Sequence, residues 1–379
     1  MDLDITEEQK MLKIMASDFL EKECPKSLVR EIEASQEKYS PKLWKNMAEL
    51  GWLGLVFPEE YGGSNGNFLD LIILLEEMGR NIVPGPFLST VVSCGLPILN
   101  YGTEEQKKAI LPKISSGDLI VALALIEPSD GYDYSPSAIS VEAKPDGDDF
   151  VINGTKLFVA GASVANYLLV AVRTGVETAP RDGISLFLVD AQSSGISCEI
   201  MPTIALDGQC EVTFKDVRAP KDSMVGKPNQ GWQIIESILT WGTVAKCAEM
   251  LGGARAILDM SLNYAKERQQ YSRPIGGFQV IQHYLANMQM DINGIRSITY
   301  ETSWKVSEGI PCAKEVSIAK AWVNETYRRI AELGIRIHGA IGTTQDHDMS
   351  LYYRRARAAE FTFGDTDFHR EVVASQLGL

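Results

Sequence analysis

Apolar residues recur at helical spacing in the first third of the chain. The first helical run follows a capping box at Thr6 to Gln9, and a second capping box, Thr103 to Gln106, begins a later run. The pattern predicts a helical domain over residues 1–118. The apolar positions of the first run share one helical face: Met11, Leu12, Ile14, Met15 and Phe19.

The pattern changes between residues 119 and 227, where short apolar or β-branched runs alternate with turn residues. The segment Pro145 to Asp148 is typical of a turn, and Asn153-Gly154 is a hairpin signal. We therefore expect a small antiparallel β domain. Its predicted strands include residues 121–126, 150–152, 156–159, 167–172, 184–189 and 212–214.

Long segments with helical periodicity return over residues 228–379 and predict a four- or five-helix bundle. The fold class is thus α+β, with helices, then strands, then helices. Alternating βαβ units, a Rossmann fingerprint and a P-loop are all absent from the sequence. The predicted bundle helices span residues 234–267, 278–307, 314–338, 350–361 and 366–376.

Composition narrows the class of partner. The 379 residues are 45% hydrophobic, enough for two or three packed units, and the formal net charge of −14 disfavours nucleic acid or an anionic membrane as partner. No uninterrupted apolar window has the length of a membrane span, and the polar N-terminus lacks the apolar core of a secretion signal. We expect a cytoplasmic protein.

Metal-binding chemistry is not indicated. The six cysteines lie far apart without a CxxC pair, so buried free thiols are expected. The run Asp346-His347-Asp348 contains ligand-type side chains, but adjacent residues on one helical turn point in different directions. We interpret this run as a surface or capping segment.

Several separated segments occur in an order and spacing that together are specific. They are residues 57–63 (FPEEYGG), 101–107 (YGTEEQK), 127–133 (EPSDGYD), 151–156 (VINGTK), 267–279 and 336–339 (RIHG). Across essentially its whole length the sequence resembles the acyl-CoA dehydrogenase superfamily. The resemblance implies an FAD-dependent enzyme that acts on an acyl-CoA thioester and passes electrons to an electron-transfer flavoprotein.

The resemblance also implies FAD contacts, some of them reaching the FAD of a neighbouring subunit. A guanidinium such as that of Arg268 suits a pyrophosphate. The family usually has Thr and Ser where Ile126 and Tyr132 stand, and Ala160 cannot give the usual hydroxyl hydrogen bond. The implied contacts are Leu125, Ile126, Gly131, Tyr132, Phe158, Val159, Ala160, Arg268, Gln270, Tyr271, Ile275, Phe278, Gln279, Arg336, Ile337, Gly339 and Thr366.

The catalytic base of the family is not found at its usual places. Family chemistry removes the α-proton of the thioester with a glutamate while the β-hydrogen leaves as hydride to the flavin. The run that matches the glutamate segment begins with Phe363, and the alternative position on the first bundle helix is Gly242. Relocated candidates are Glu249, Glu360 and Asp130, each of which also has a structural explanation.

The acyl-CoA would contact a set of residues that the same resemblance implies. Asp365 and Asp367 stand where the family places Thr and Gln against FAD, which would bring negative charge near the cofactor unless Thr366 replaces them. The implied substrate contacts are Leu88, Val91, Val92, Tyr132, Trp241, Gly242, Phe363 and Gly364.

Three hypotheses follow from the missing glutamate. In the first, a homotetrameric dehydrogenase with a non-standard base oxidises an unusual acyl-CoA, such as a cyclic or branched one. In the second, the chain is the base-less subunit of a heteromer whose other subunit carries the glutamate. In the third, the chain keeps the flavin and the thioester but catalyses an elimination without net oxidation.

Overall fold

The computed structural model describes residues 5–128, 133–175 and 179–379, and within them helices precede and follow a sheet. This order confirms the predicted α+β fold class. A π-helical segment, Leu88–Gly95, precedes α5. The N-terminal helices are α1 Glu7–Glu23, α2 Lys26–Ala34, α3 Pro41–Glu49, α4 Phe68–Asn81, α5 Leu96–Tyr101 and α6 Glu104–Ser115.

Eight strands form one sheet in the middle of the chain, and a small hairpin and five helices follow within the described residues. The sheet strands are β1 Val121–Ala124, β2 Glu142–Asp146, β3 Asp149–Ala160, β4 Tyr167–Arg173, β5 Ile184–Asp190, β6 Ile196–Ile200, β7 Gln209–Pro220 and β8 Met224–Val225. The later elements are α7 Gly231–Glu267, β9 Gln269–Gln270, β10 Arg273–Pro274, α8 Gln279–Ser307, α9 Ala313–His338, α10 Asp348–Ala359 and α11 Thr366–Gln376.

Two capping boxes begin helices where the sequence predicts them. The Gln9 amide nitrogen donates to Thr6 Oγ1 at 3.2 Å, and the Thr6 nitrogen donates to Gln9 Oε1 at 3.0 Å. Thr103 and Gln106 repeat the arrangement at 3.2 and 3.1 Å at the start of α6. Each box satisfies two backbone donors that a helix leaves unpaired, and both predictions are confirmed.

The sheet runs in the order β6-β7-β3-β2-β4-β5-β8, and its extended pairings along this path are antiparallel. The prediction of an antiparallel sheet is therefore only partly right. Strand β1 pairs in parallel with β4, from Val121↔Tyr167 to Ala124↔Val170. The long connection through β2 and β3 permits this, since parallel neighbours need a crossover of a dozen or more residues.

The hairpin predicted at Asn153-Gly154 is wrong. Both residues lie inside β3, where the pairing with β7 shifts its register between Ile152 and Gly154. The Asn153 side chain exchanges hydrogen bonds with Asp216 at 2.9 and 3.1 Å, so the pair marks a β-bulge. The turn between β2 and β3 contains Gly147, whose φ of 67° suits glycine.

The chain divides into two compact units, each discontinuous in sequence. One consists of Met1–Val29, Phe68–Val83 and Thr243–Leu379, and the other of Arg30–Asn67 and Pro84–Gly242. The strands of the sheet belong to the second unit. Within the described part of the chain, no helix has both the length and the apolar character needed to cross a membrane.

A buried carboxylate joins four helices of the first unit. Glu76 on α4 is fully buried and accepts hydrogen bonds from Lys13 Nζ at 2.9 Å, from Tyr300 Oη at 2.6 Å and from Arg255. Burial opposes its ionisation, but Lys13 and Arg255 outweigh burial and hold the pKa of Glu76 below its ordinary value. The ion cluster therefore fixes α1, α4, α7 and α8 to one another.

We expect Glu76→Gln to lower the free energy of unfolding by about 3 kcal/mol, because it removes the nearer of the two carboxylates that Lys13 and Arg255 share, leaving Glu77 at 3.6 and 3.5 Å. Urea unfolding followed by circular dichroism measures the loss. Glu7→Gln, which removes an exposed pair with Lys10, is the control and should change little. Equal effects of the two substitutions would show that the cluster does not stabilise the unit.

Candidate functional site

Phe363 is a buried residue of an irregular, partly buried turn between α10 and α11. Its φ is 60° and that of Gly364 is 102°, so two consecutive residues adopt left-handed backbone conformations. A Cβ atom on Gly364 would lie 2.5 Å from the Phe368 ring and 2.8 Å from His369 Nε2. The turn therefore requires glycine at position 364 and strains residue 363.

Side chains of α9 hold this turn by its carbonyl groups. Lys320 is fully buried, and its Nζ lies 3.1 Å from Ala359 O, 3.3 Å from Glu360 O and 3.1 Å from Gly364 O. Asn324, one helical turn later, accepts from Lys320 at 2.6 Å and donates to Glu360 O at 3.1 Å. The ammonium thus caps the C-terminus of α10, where a cation is favoured.

Burial lowers the pKa of Lys320 to about 7. The acceptors around Nζ favour the protonated form, since a neutral amine has one donor fewer. These two effects oppose each other. The lysine is tolerated in the core only because every proton of its ammonium group has an acceptor.

His369 on α11 completes the support of the turn. Its Nε2 lies 2.9 Å from Phe363 O, and its Nδ1 lies 3.2 Å from the Ser317 hydroxyl of α9. Since a carbonyl only accepts, Nε2 carries the proton and Nδ1 accepts from Ser317. Burial, with a smaller contribution from Lys320, lowers the pKa of His369 to about 3, so the ring is neutral.

Two of the three proposed relocated bases pair with cations. Glu249 is ion-paired with Lys246 on the same helix, and Glu360 is paired with Arg328 at 2.8 Å and Arg357 at 3.3 Å. Asp130 lies outside the described residues. Gly242, the other usual base position, is a buried residue of α7.

In the sheet unit, a buried ion pair organises the predicted flavin segment. Lys156 on β3 is fully buried and donates to Glu127 at 2.6 Å and to Leu125 O at 3.1 Å. Burial lowers the pKa of Lys156 to about 8, against the opposing effect of Glu127. The Leu157 amide donates to Ile126 O at 2.8 Å, so β3 fixes both predicted flavin contacts that follow β1.

Other predicted FAD contacts of this unit lie on the same strand. Phe158 has a φ of 54° within the second register shift of the β3–β7 pairing, while Val159 is fully buried. Ala160 ends the strand. The predicted contacts Gly131 and Tyr132 lie outside the described residues.

The predicted substrate contacts of this unit differ in exposure. Val91 and Val92 are fully buried in the π-helical segment, whereas Leu88 and Trp241 are half-buried. The segment is fixed to the sheet, because Thr90 Oγ1 donates to Val121 O at 3.0 Å. Leu88 and Trp241 thus have the more accessible side chains of the four.

The hairpin after α7 presents polar and aromatic groups to solvent. Tyr271 at its tip is 89% exposed, Gln270 is exposed, and the Arg273 guanidinium lies 4.1 Å from the centre of the Phe278 ring. Arg268 and Gln279 flank the hairpin and are also exposed. Ile275, by contrast, is buried below it.

Three further predicted contacts lie where α9 ends. The Arg336 guanidinium lies 5.7 Å from the centre of the Tyr284 ring, beside a cavity of about 450 Å³ between α8 and α9. Ile337 is buried. Gly339 has a φ of 69° and open space where a Cβ atom would stand, so its backbone is accessible to a ligand.

The residues of the 363–367 segment fit FAD better than the sequence suggests. The Thr366 hydroxyl is buried without a hydrogen-bond partner among the described residues, as expected of a group that awaits a ligand. Asp365 caps α11 by accepting from the Phe368 nitrogen at 2.8 Å, and Asp367 pairs with Arg370. Both carboxylates therefore have local partners.

Sequence reasoning missed the residues that support the turn. Ser317, Lys320 and Asn324 interrupt the buried face of α9 at helical spacing, and this break in the apolar pattern was the available signal. His347, in contrast, is the N-cap of α10 and accepts from the Met349 nitrogen at 3.1 Å, which confirms the capping interpretation of its segment.

Comparison with known proteins identifies the family. The acyl-CoA dehydrogenase N-terminal, middle and C-terminal domains match residues 6–118, 122–217 and 229–378. The probable acyl-CoA dehydrogenase YngJ of Bacillus subtilis (strain 168) is 33% identical, with 100% of both chains covered. The caffeyl-CoA reductase-Etf complex subunit CarC of Acetobacterium woodii is 30% identical, with 98% of both covered.

A solved structure of a variant of the Tcur3481-Tcur3483 steroid ACAD superposes with a TM-score of 0.88 at 29% identity, covering 98% of both chains. The chain thus belongs to the acyl-CoA dehydrogenase family. It is of the FAD-dependent oxidoreductase type that acts on acyl-CoA thioesters.

Buried His369 should make the free energy of unfolding depend on pH. An unfolded histidine takes up a proton near pH 6.5, whereas buried His369 resists it down to about pH 3. Its contribution to stability is therefore present above pH 6.5 and is lost as the pH falls toward 3. His369→Gln should reduce the slope of unfolding free energy against pH by about 1.4 kcal/mol per unit in this window.

Urea titrations between these pH values measure the slope. His283→Gln replaces an exposed histidine of α8 and should leave the slope unchanged. If the His369→Gln protein loses stability in parallel with the unmodified protein, His369 is not buried and neutral.

Proposed function

We propose that this chain serves acyl-CoA oxidation as the subunit without a catalytic base, and that a second subunit supplies the glutamate. The observation that carries the proposal is the apolar residue Phe363 in the well-supported turn where the family keeps its carboxylate. A phenyl ring cannot accept a proton, and Gly242 leaves the alternative position equally empty.

Two of the three candidate carboxylates favour the same proposal. Glu249 and Glu360 are both held by cations of their own unit, so using either as a base would first require breaking an ion pair. Glu360 in addition faces two arginines, Arg328 and Arg357. A base relocated to Glu249 or Glu360 is therefore the weaker hypothesis.

The likeness to known proteins supports a two-polypeptide enzyme, a cyclic acyl substrate and an electron-transfer partner. The name of the Tcur3481-Tcur3483 steroid ACAD joins two designations, which supports an enzyme of two polypeptides and a bulky cyclic acyl group as substrate. The likeness to CarC of the caffeyl-CoA reductase-Etf complex supports electron exchange with an electron-transfer flavoprotein. In this proposal the functional assembly is a heteromer.

The residues of this chain would bind and orient rather than transfer the α-proton. FAD, when bound, accepts the hydride from the β-carbon. The Thr366 hydroxyl, the Gly339 backbone and the exposed side chains of Arg268, Tyr271 and Gln279 are the groups that would hold FAD. Phe363 would give an apolar surface near the acyl group.

The first test compares the purified chain alone with the chain co-expressed with a glutamate-bearing acyl-CoA dehydrogenase subunit. Each preparation is titrated anaerobically with linear, branched and cyclic acyl-CoAs while the visible flavin band is followed. We expect bleaching only in the co-expressed preparation, because only that one has a base. Bleaching by the chain alone at the same rate would contradict the proposal.

A gain-of-function variant tests the position of the missing base. Phe363→Glu should give the chain its own bleaching activity, since the turn that carries residue 363 is held by backbone contacts that do not involve its side chain. Phe363→Gln is the matched control, with similar size but no proton-accepting carboxylate. If both variants bleach equally, a base elsewhere in the chain is responsible, and Glu249→Gln, Glu360→Gln and Asp130→Asn test the three candidates.

A further inference from the structure

Side chains outside the turn between α10 and α11 donate most of the hydrogen bonds that its main-chain carbonyls accept. The carbonyls of Ala359, Glu360 and Gly364 lie within 3.3 Å of Lys320 Nζ. The carbonyl of Phe363 accepts from His369 at 2.9 Å. One support is internal, from the Gly364 nitrogen to Phe361 O at 3.3 Å.

Together, the Lys320 contacts constrain the backbone around Phe363. Lys320 contacts the main chain on both sides of Phe363, at residues 359–360 and at Gly364. Two consecutive positive φ values persist only where the surroundings over-determine the backbone. The lysine supplies that constraint, because one ammonium group joins the end of α10 to the residue that precedes the cap of α11.

We propose that Lys320 is the positioning residue for position 363 and presents whichever side chain stands there in one fixed direction. The Lys320 contacts are made to carbonyl oxygens, so they are independent of the side chain at 363. The positioning role therefore holds for the native phenylalanine and for a glutamate placed there. The catalytic consequence of this positioning role rests on the proposed function, whereas the effect of Lys320 on the backbone does not.

A second lysine of the same unit provides a matched control. Lys26 Nζ donates to Asn81 O at 2.9 Å, at the end of α4, and also lies 5.6 Å from the centre of the Tyr352 ring. Like Lys320, it supports the C-terminus of a helix. Lys26→Met therefore removes a helix-capping lysine whose main-chain contact lies at the end of α4.

The first measurement is amide hydrogen exchange of the full chain with Phe363 in place. We expect Lys320→Met to accelerate exchange of the amides in residues 361–370 by about tenfold or more, and Lys26→Met to leave them unchanged. Asn324→Ser is a milder second variant, which removes the bond to Glu360 O and should act in the same direction. Equal exchange in the Lys320→Met and Lys26→Met proteins would overturn the proposal.

The second measurement uses the Phe363→Glu protein and separates positioning from general stability. Adding Lys320→Met should lower the limiting rate of flavin bleaching by about a hundredfold, because a misdirected carboxylate loses its alignment with the α-carbon. The acyl-CoA concentration that gives half the limiting rate should change by less than about twofold. Adding Lys26→Met should change neither quantity.

The two measurements distinguish a failure of the proposed base position from a failure of the positioning role of Lys320. Should Phe363→Glu fail to bleach while Lys320→Met still accelerates exchange at residues 361–370, the proposed base position is wrong and the positioning role stands. Should Phe363→Glu bleach and its limiting rate be unaffected by Lys320→Met, the positioning role is wrong and the base position stands.

Discussion

The buried ammonium group of Lys320 is the interaction on which the candidate site depends. It neutralises the carbonyl ends of α10, fixes Gly364 before the cap of α11, and is itself held by Asn324. A lysine in the core is costly unless its protons all have acceptors, and here they do. The Lys320 and His369 contacts that hold the turn are thus made to main-chain carbonyls and do not involve the side chain at 363.

Because these contacts are made to the backbone, the same turn can form without a glutamate at position 363. Replacing a glutamate by Phe363 removes the proton acceptor but none of the carbonyl contacts of Lys320 and His369. The other unit uses a buried lysine in a related way, since Lys156 holds the Leu125 carbonyl. There the charge is balanced by the carboxylate of Glu127, whereas the charge of Lys320 is met chiefly by carbonyl dipoles.

Local signals predicted the elements well, and distant partners decided the rest. The helix predicted over residues 366–376 has those bounds, and both capping boxes are present, because helical period and cap chemistry are local properties. The signal at Asn153-Gly154 failed because its bulge depends on Asp216, 63 residues later. The role of Lys320 was not predicted, since its acceptors lie about forty residues further along the chain.

The family resemblance, not periodicity, predicted the importance of Phe363, and the structure adds the reason its position is maintained. The central claim is that this chain has no base able to remove the α-proton of an acyl-CoA. The most direct test is the exchange of that proton with D2O, followed by NMR of the thioester. The account predicts no exchange above the buffer rate with the chain alone; exchange well above the buffer rate with that preparation would contradict it.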